Sequence, residues 1–194
     1  MTGVVLAGGK SRRMGKKKSE IVLGNMTLLE RVVQKLKPLC PHIIIVTSHG
    51  ESISLPETVS ITDPIPGYGS LMGLYAGLKH AKDSVFAVAC DMPFINTALI
   101  QYMIENASGW DMVVPKPGGL YEPLHAIYAP ACIPFMEEMI ERDEHRIIGF
   151  YDKVKVLELE DEELDRFDPE RKSFFNINSK EDLARAEELL AKPA

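Results

Sequence analysis

The chain has few cysteines, and none of them occurs in a spacing that binds metal. Cys40, Cys90 and Cys132 are its three cysteines among 194 residues, and there is no Cys-x-x-Cys pair. Their number is odd and they lie far apart, so the sequence gives no support to a zinc site or a redox centre. We expect three reduced thiols in the core of a cytoplasmic protein.

Long apolar runs, repeats and linkers are also missing. No apolar stretch approaches the ~20 residues that a membrane-spanning helix requires, so we expect neither a signal peptide nor a membrane segment. The hydrophobic fraction of 45% is enough for a sizeable core. Because no low-complexity tract or linker divides it, the chain is expected to form a single domain over residues 1–194.

Two common phosphate-binding loops are absent. A P-loop requires Gly-x4-Gly-Lys-Ser/Thr, but counting back from Gly15 puts the required glycine at Lys10. The dinucleotide pattern Gly-x-Gly-x-x-Gly fails because Gly8 and Gly9 are adjacent and no third glycine follows at the required step. The sequence therefore argues against a P-loop NTPase and against a standard Rossmann cofactor site.

Positive charge is in the minority overall but concentrated in one short segment. The chain has 22 lysines and arginines against 28 acidic residues, a formal net charge of −6. Residues 10–18, KSRRMGKKK, nevertheless hold six positive charges and no negative one. An acidic body opposes binding to nucleic acid or to an anionic membrane, and we expect neither as a partner. The local cluster instead favours a small, highly anionic ligand.

The basic segment follows a glycine pair at the end of an apolar run. Gly8 and Gly9 come directly after residues 4–7, which read as a strand. Glycines at this point allow a sharp turn and bring backbone N–H groups close to an anion, for which phosphate oxygens are suited. The alternative is a solvated basic loop that binds no ligand.

Apolar runs alternate with helix-period segments along most of the chain. Helices are predicted from Thr27, where Thr-Leu-Leu-Glu has the capping-box pattern, and after Ser179, which is followed by acidic residues. The acidic stretch 158–168 is predicted to be a solvated surface excursion. Buried strands are predicted at residues 3–7, 42–47, 59–62, 85–90 and 111–114, and further helices at 70–80, 97–106 and 131–142. This order predicts an α/β, Rossmann-like fold with a mostly parallel sheet flanked by helices.

In such a sheet, ligands bind beyond the carboxyl ends of the strands, which draws attention to two aspartates. Asp91 directly follows the apolar run 85–90. A carboxylate that faces a triphosphate-binding loop is suited to hold Mg²⁺, and Asp91 is predicted to be a metal ligand. The alternative is a turn residue that hydrogen-bonds its own backbone. Asp63, at the start of the Pro/Gly-rich loop 63–73, is predicted either to contact the nucleotide or only to begin an Asp-Pro turn.

Two asparagines alternate with apolar residues near the C-terminus. Residues 174–179, FFNINS, read as a short strand with Asn176 and Asn178 on one face. Two amides on one face can orient a polar heterocycle or a phosphate. Alternatively, Asn178 and Ser179 only cap the last helix.

The segment 118–128 carries three further polar candidates. His125 has no second histidine or cysteine at ligand spacing, so it is not expected to bind metal. Tyr121 and Glu122 are candidates for the side of the site that receives a second substrate.

Four motifs together resemble a known family. LAGGKSRRMGKKK (residues 6–18) resembles the signature loop of nucleotidyltransferases, Leu-Ala-Gly-Gly-x-Ser-x-Arg-Met-Gly-x-x-Lys, at every fixed position. ACDMPF (89–94), GGLYEPLHAIY (118–128) and FFNINSKEDL (174–183) follow in the order and spacing of the molybdenum cofactor guanylyltransferase family. The resemblance spans nearly the whole chain, and it implies the nucleotidyltransferase type of α/β fold.

The resemblance also implies roles for individual residues. The magnesium aspartate of the family matches Asp91, and the catalytic set implied is Arg13, Lys18 and Asp91. The residues implied to bind GTP are Leu6, Ala7, Gly8, Gly9, Lys18, Asp63 and Asp91. The asparagines that the family associates with the pterin match Asn176 and Asn178.

The reaction implied by the resemblance joins two phosphorylated substrates. The terminal phosphate of molybdopterin attacks the α-phosphorus of Mg·GTP, which gives the guanine dinucleotide cofactor and pyrophosphate. GTP and molybdopterin are the implied partners and Mg²⁺ the implied cofactor, and family analogy adds contact with molybdenum-insertion proteins. A phosphate monoester has its second pKa near 6 and is already mostly ionised at neutral pH, so no protein nucleophile or strong general base is needed.

One segment departs from the family pattern and leaves alternatives open. The family usually shows Gly-Pro-Leu-Ala-Gly where this chain has Gly69-Ser70-Leu71-Met72-Gly73, and a related cytidylyltransferase branch often has serine there. The first alternative is therefore a nucleotidyltransferase that uses CTP with molybdopterin or another phosphorylated acceptor. The second is a nucleotide-binding module without catalysis. Leu-Ala-Gly-Gly rather than Leu-Ala-Ala-Gly favours guanine.

Overall fold

A computed structural model of the chain describes residues 1–8, 17–65 and 67–191. The strands are β1 (Thr2–Leu6), β2 (Val22–Leu23), β3 (Met26–Thr27), β4 (His42–Thr47), β5 (Val59–Thr62), β6 (Val85–Ala89), β7 (Met112–Pro115), β8 (His125–Tyr128) and β9 (Val156–Leu159). The α-helices are α1 (Leu28–Leu36), α2 (Gly69–Ala81), α3 (Thr97–Asn106), α4 (Ile133–Glu141), α5 (Asp161–Asp165) and α6 (Lys180–Ala191). Strands β2 and β3 form a small antiparallel ribbon of their own.

The remaining seven strands form one sheet in the order β5-β4-β1-β6-β8-β7-β9. Strands β5, β4, β1 and β6 pair in parallel, as do β7 and β9. Strand β8 runs antiparallel to both of its neighbours. Leu6 lies opposite Val46 and Ala89, so β1, β4 and β6 end at the same edge of the sheet. The predicted α/β fold with a mostly parallel sheet is confirmed.

The sheet is the middle layer of three. Successive residues of a strand point to opposite faces, and on β1 Val5 packs with α1 and α3 while Val4 and Leu6 pack with α2 and α4. Helices therefore cover both faces of the central strands. This burial explains why the strands read as continuous apolar runs rather than as an alternating pattern.

Helix α1 begins as the sequence predicts. The Glu30 N–H donates to the Thr27 hydroxyl at 3.1 Å, and the Thr27 N–H donates to the Glu30 carboxylate at 2.8 Å. This hydrogen bond from the Thr27 backbone lowers the pKa of Glu30. The capping box satisfies two N–H groups that the first helical turn cannot pair, and so fixes where α1 starts.

Helix α2 lies unusually close to β1. A Cβ atom at Gly77 would stand 2.5 Å from Cγ1 of Val4, and one at Gly73 would stand 3.1 Å from Cδ2 of Leu6. Both glycines therefore serve close packing of the helix on the sheet. This contact holds the first residue of α2, and the loop before it, near the end of β1.

In the second half of the chain, the structure differs from the sequence predictions at three places: one strand was missed, and two segments were predicted wrongly. Strand β8 was not anticipated, because a four-residue segment that starts with a histidine lacks a clear apolar run. The acidic stretch 158–168 is not a surface excursion: it contains the end of β9 and all of α5, with Leu164 fully buried. Asp168 is also buried, and its carboxylate accepts hydrogen bonds from the N–H groups of Lys172 and Ser173 at 3.0 and 2.8 Å.

The third correction concerns residues 174–179, which do not form a strand. A short 3₁₀ turn covers Lys172–Phe174, and the following residues are held by other contacts, including a hydrogen bond from the Ile177 N–H to the Asp91 carbonyl at 3.0 Å. The predicted alternation nevertheless survives, since Ile177 is buried between two more accessible asparagines.

The cysteines agree with the sequence prediction. Cys40, Cys90 and Cys132 are free and buried. Burial raises the pKa of Cys90 and Cys132 to about 12, so neither is a thiolate at neutral pH. Among the residues that the structure describes, no helix has the length and apolar character to cross a membrane.

Candidate active site

A cavity of about 810 Å³ opens where β1, β4 and β6 end. We call it the first cavity. The residues predicted from sequence that line it are Leu6, Gly8, Lys18, Asp63, Asp91, Asn176 and Asn178. They come from segments far apart in the chain and meet because parallel strands bring their carboxyl ends to one edge. Gly9 and Arg13, also predicted for the site, lie outside the described residues.

The turn after β1 brings the backbone close to the loop after β4. The Ala7 N–H donates to the Val46 carbonyl at 2.8 Å, which continues the sheet pairing by one residue. A Cβ atom at Gly8 would stand 3.0 Å from the Ser48 hydroxyl oxygen and 3.2 Å from the Ser48 nitrogen. Glycine permits this approach. Ala7 itself is buried in the core and does not line the cavity.

Lys18 and Asp91 form the charged centre of the first cavity. Asp91 is 5% exposed, directly after β6, and its carboxylate is in contact with the Lys18 ammonium group. The same ammonium group donates to the Asn178 side-chain oxygen at 2.6 Å. The alternative interpretation of Asp91 was a turn residue that bonds its own backbone, whereas here its carboxylate pairs with a lysine.

The segment that carries the two asparagines is anchored on Asp91. Because the buried Ile177 is bound through its N–H to the Asp91 carbonyl, Asn176 and Asn178 on either side line the cavity. Helix α6 is capped by the next residue: the Asp182 N–H donates to the Ser179 hydroxyl at 3.1 Å. Ser179 is thus the cap, and the Asn178 side chain is left to contact Lys18.

Asp63 lines the first cavity and also starts the Asp-Pro turn expected of it. Its carboxylate accepts a hydrogen bond from the Ile65 N–H at 3.0 Å, which is typical of such a turn. Burial raises the pKa of Asp63. Its N–H donates to the Thr47 carbonyl at 2.8 Å, which fixes the start of the loop against β4.

A second cavity of about 450 Å³ adjoins the first. The two share Ser70, Leu124 and Asn176 as a common wall. Tyr121 and Glu122, the candidates for a second-substrate side, both line it. Its other members include Met92, His145, Arg146 and Ile147. Sequence analysis missed His145 and Arg146, because neither follows a predicted strand nor belongs to a motif.

His125 belongs to neither cavity. It is fully buried on β8, with the rings of Phe86 and Phe174 edge-on at 5.1 and 5.2 Å between centroids. Neither ring nitrogen has a hydrogen-bond partner in the described part of the chain. Burial lowers the pKa of His125 to about 3, so the ring is neutral at physiological pH. These surroundings agree with the expectation that His125 is not a metal ligand.

The chemistry of the first cavity suits a metal that is held largely by its substrate. In the described ranges, no group of three or more His, Cys, Asp and Glu side chains could hold a metal ion. Asp91 instead offers a single carboxylate beside a lysine. Mg²⁺ usually binds in this way, through one or two carboxylates together with phosphate oxygens and water. The residues therefore fit Mg²⁺ that arrives with a nucleoside triphosphate.

Sequence comparison relates the chain to proteins of known family. The family model described as the MobA-like NTP transferase domain matches residues 3–155. A protein of Pelotomaculum thermopropionicum named a probable molybdenum cofactor guanylyltransferase is 38% identical over 189 residues, which are 95% of this chain and 91% of that protein. The molybdenum cofactor guanylyltransferase of Desulfosudis oleivorans is 35% identical over 190 residues, 96% of this chain and 94% of that protein.

A solved structure shows that the likeness extends to three dimensions. Molybdopterin-guanine dinucleotide biosynthesis protein A from Archaeoglobus fulgidus is 32% identical and matches with a TM-score of 0.85 over 100% of both chains. The fold and the first cavity define an α/β protein of the nucleotidyltransferase type. The chain belongs to the family of MobA-like NTP transferase domains, and the resemblance drawn from its four motifs is confirmed.

Proposed function

We propose that the protein transfers GMP from GTP to the terminal phosphate of molybdopterin. A phosphate oxygen of molybdopterin forms a bond to the α-phosphorus of GTP, the bond to the β-phosphate oxygen breaks, and pyrophosphate leaves. The products are molybdopterin guanine dinucleotide and pyrophosphate. The observation that carries the proposal is the meeting of Gly8, Lys18 and Asp91 in one cavity at the carboxyl edge of the sheet. The relatives are named molybdenum cofactor guanylyltransferases, which supports a guanylyl group as the part transferred and the molybdenum cofactor as its acceptor.

The residues of the first cavity act by position and charge in this proposal. The attacking phosphate is mostly ionised at neutral pH, so its proton needs no strong base. Lys18 is suited to offset negative charge that builds up around the α-phosphate, and the backbone after β1, including Gly8, to contact the β- and γ-phosphates. Arg13 and Gly9 keep the roles implied by the family resemblance and lie outside the described residues.

The metal and the two ends of the site complete the proposal. Asp91 would hold Mg²⁺, which when bound neutralises phosphate charge and favours departure of pyrophosphate. Leu6, Ala7 and Asp63 belong to the GTP side, where Leu6 and Asp63 line the first cavity. Asn176 and Asn178 belong to the acceptor side, and Asn178 also holds Lys18 through its side-chain oxygen. A cytoplasmic location rests on the reduced cysteines expected from the sequence. Contact with molybdenum-insertion proteins rests on the family resemblance alone.

Pyrophosphate release tests the reaction directly. Purified protein is incubated with Mg²⁺ and molybdopterin, and GTP, CTP and ATP are compared, each with an acceptor-free control. We expect release with GTP that depends on the acceptor. Release with CTP alone would assign the chain to the cytidylyl branch, the reading that Ser70 in place of the family's proline favours. Silence with every nucleotide would reject transfer to molybdopterin.

A further inference from the structure

The second cavity contains a carboxylate that the proposed reaction does not yet use. Glu122 lines this cavity, and its side chain has no hydrogen bond or ion pair with any described residue. Arg146 lines the same cavity without forming an ion pair with it. Burial alone raises the pKa of Glu122, with no neighbouring charge to offset it. A half-buried carboxylate that pairs with nothing in the described chain has lost part of its hydration and is available to accept hydrogen bonds from a ligand.

The backbone around Glu122 is fixed. The Glu122 N–H donates to the Pro115 carbonyl at 3.0 Å, and the Glu122 carbonyl accepts from the His125 N–H at 3.1 Å. Pro123 restricts the conformation of the residue before it, and its carbonyl accepts a hydrogen bond from the buried Tyr128 hydroxyl at 2.7 Å. The carboxylate is therefore presented to the cavity from a rigid segment, as a recognition group should be.

The walls of the second cavity suit a flat ring. Tyr121 is held by a hydrogen bond from its hydroxyl to Glu158 and by edge contact with the Tyr151 ring, 5.0 Å between centroids. The buried side chains of Met92 and Ile147 add apolar surface. A cavity with a fixed aromatic wall and a carboxylate that is unpaired among the described residues matches a planar heterocycle that carries adjacent N–H donors.

We infer that Glu122 recognises the 2-amino-4-oxopyrimidine edge of the acceptor's pterin ring. Two donors on that edge, the ring N3–H and the 2-amino group, match the two oxygens of a carboxylate. Because the two cavities adjoin and share Ser70, Leu124 and Asn176, a pterin in the second cavity would place its phosphate on the side of the first cavity, where Lys18 and Asp91 lie. The inference rests on the proposed function for the identity of the acceptor.

Guanine carries the same donor edge, so the base of GTP is the other source of this chemistry. Glu122 lines the second cavity and is not among the residues of the first, where Lys18 and Asp91 lie. The nucleotide is expected in the first cavity, and the pterin is therefore the ligand that we assign to Glu122. The experiment separates the two sources.

The test compares wild-type protein with Glu122→Gln in titrations of pterin and lumazine, followed by the fluorescence of the ligand. Lumazine has an oxo group where pterin has its 2-amino group. We expect wild-type protein to bind pterin at least roughly tenfold more tightly than lumazine. In Glu122→Gln, the binding of pterin should weaken by roughly ten- to hundredfold, and the protein should now prefer lumazine. The glutamine amide accepts from N3–H and donates to the 2-oxo group, which favours lumazine.

Glu105→Gln provides a matched control, since Glu105 on α3 is exposed and, within the described chain, its side chain is bonded only by Gln101 of the same helix, at 2.7 Å. This variant should keep the wild-type preference. Equal binding of pterin and lumazine by wild-type protein, or an unchanged preference in Glu122→Gln, would overturn the inference. Because glutamine has the same shape as glutamate, a change in preference cannot be ascribed to a lost fold.

A second arm measures selectivity between GTP and XTP, which differ at the same position of the base. We expect Glu122→Gln to leave the KM for GTP and the GTP preference unchanged. A shift in that preference without a shift between pterin and lumazine would assign Glu122 to guanine and reject the pterin. Pterin binding needs no turnover, so wild-type protein that fails to release pyrophosphate refutes the proposed function without deciding the role of Glu122.

Discussion

Two carboxylates in neighbouring cavities have opposite surroundings. Asp91, in the first cavity, is almost fully buried and lies against the Lys18 ammonium group. Glu122, in the second cavity, has no partner among the described residues, and burial raises its pKa. The two side chains stand at the same edge of the sheet, on opposite sides of the wall formed by Ser70, Leu124 and Asn176.

The difference agrees with the ligands proposed for the two cavities. A metal–nucleotide complex brings charges of both signs, so a site that presents a lysine and an aspartate can pair them while it is empty and separate them when the ligand arrives. A neutral heterocycle brings only donors and acceptors. To select it, a site must present a polar group that the wrong ligand leaves without a hydrogen-bond partner. Such a group also has no protein partner in the empty site.

Replacing Asp91 should have the largest effect, because it removes the proposed metal ligand. In Asp91→Asn, we expect GMP transfer to fall by about 10³-fold, since an amide neither holds Mg²⁺ well nor balances Lys18. Thermal stability should change little, because the side chain keeps its shape. Initial rates of pyrophosphate release with saturating GTP measure the effect.

Asp165→Asn serves as the control for this substitution, since Asp165 pairs with Arg171 at 2.7 Å and lines neither cavity. It should retain the wild-type rate. Lys18→Ala should lose about 10²-fold, less than Asp91→Asn, because backbone donors and the metal remain. Wild-type turnover in either cavity variant would remove that residue from the mechanism.

His125 extends the comparison. Like the Glu122 carboxylate, its ring has no hydrogen-bond partner among the described residues, but it is fully buried and lines neither cavity. With the pKa lowered to about 3, it is neutral in the folded protein, whereas in the unfolded chain it titrates near 6.5. The unfolded state therefore binds the extra proton between these values. Below pH 6.5, His125 should reduce the free energy of unfolding by about 1.4 kcal/mol for each pH unit, until the folded form also titrates.

Chemical denaturation at pH 7, 6, 5 and 4 measures this slope, and His125→Phe supplies a ring that cannot titrate. The variant should lose less stability than the wild-type protein as the pH falls. Parallel pH profiles for the two proteins would show that His125 titrates alike in the folded and unfolded states, contrary to the buried, neutral ring in the structure.

Where local chemistry decides an element, the sequence was sufficient. The capping box at Thr27 uses residues three apart and needs no tertiary information, and the central strands are apolar because both faces are covered. Strand β8 and the Asp91-bound segment around Ile177 depend instead on partners that are distant in sequence. Periodicity did not reveal β8, which is short and starts with a histidine. Around Ile177, a single backbone hydrogen bond to Asp91 stands where a strand would need a ladder.

The candidate site divides in the same manner. Lys18, Asp63 and Asp91 follow predicted strands or a recognisable loop, so the carboxyl-edge rule anticipated that they would meet. The contact of Asn178 with Lys18 spans 160 residues and carries no sequence signal of its own. Glu122 was singled out only as a candidate for the acceptor side. What sets it apart is the lack of a partner within the described chain, and that is visible only in three dimensions.

The smallest predicted effect is on stability, and it tests directly whether the Glu122 carboxylate is unpaired. Because the pKa of Glu122 is raised in the folded state, its charge opposes folding once the pH exceeds its folded pKa, while below about 4.5 the neutral acid costs nothing. Glu122→Gln should therefore raise the free energy of unfolding at pH 7.5 by no more than about 1 kcal/mol, because solvent still screens the group, and the gain should vanish at pH 4.

Glu158→Gln is the opposite case, since a hydrogen bond from Lys116 at 2.7 Å lowers the pKa of Glu158, and this variant should lose stability at neutral pH. Thermal denaturation of both variants at the two pH values tests the pair. A loss of stability in Glu122→Gln at pH 7.5 would mean that its carboxylate is already satisfied. A gain in stability together with a loss of pterin preference would show that the Glu122 carboxylate lowers stability and serves to recognise the acceptor.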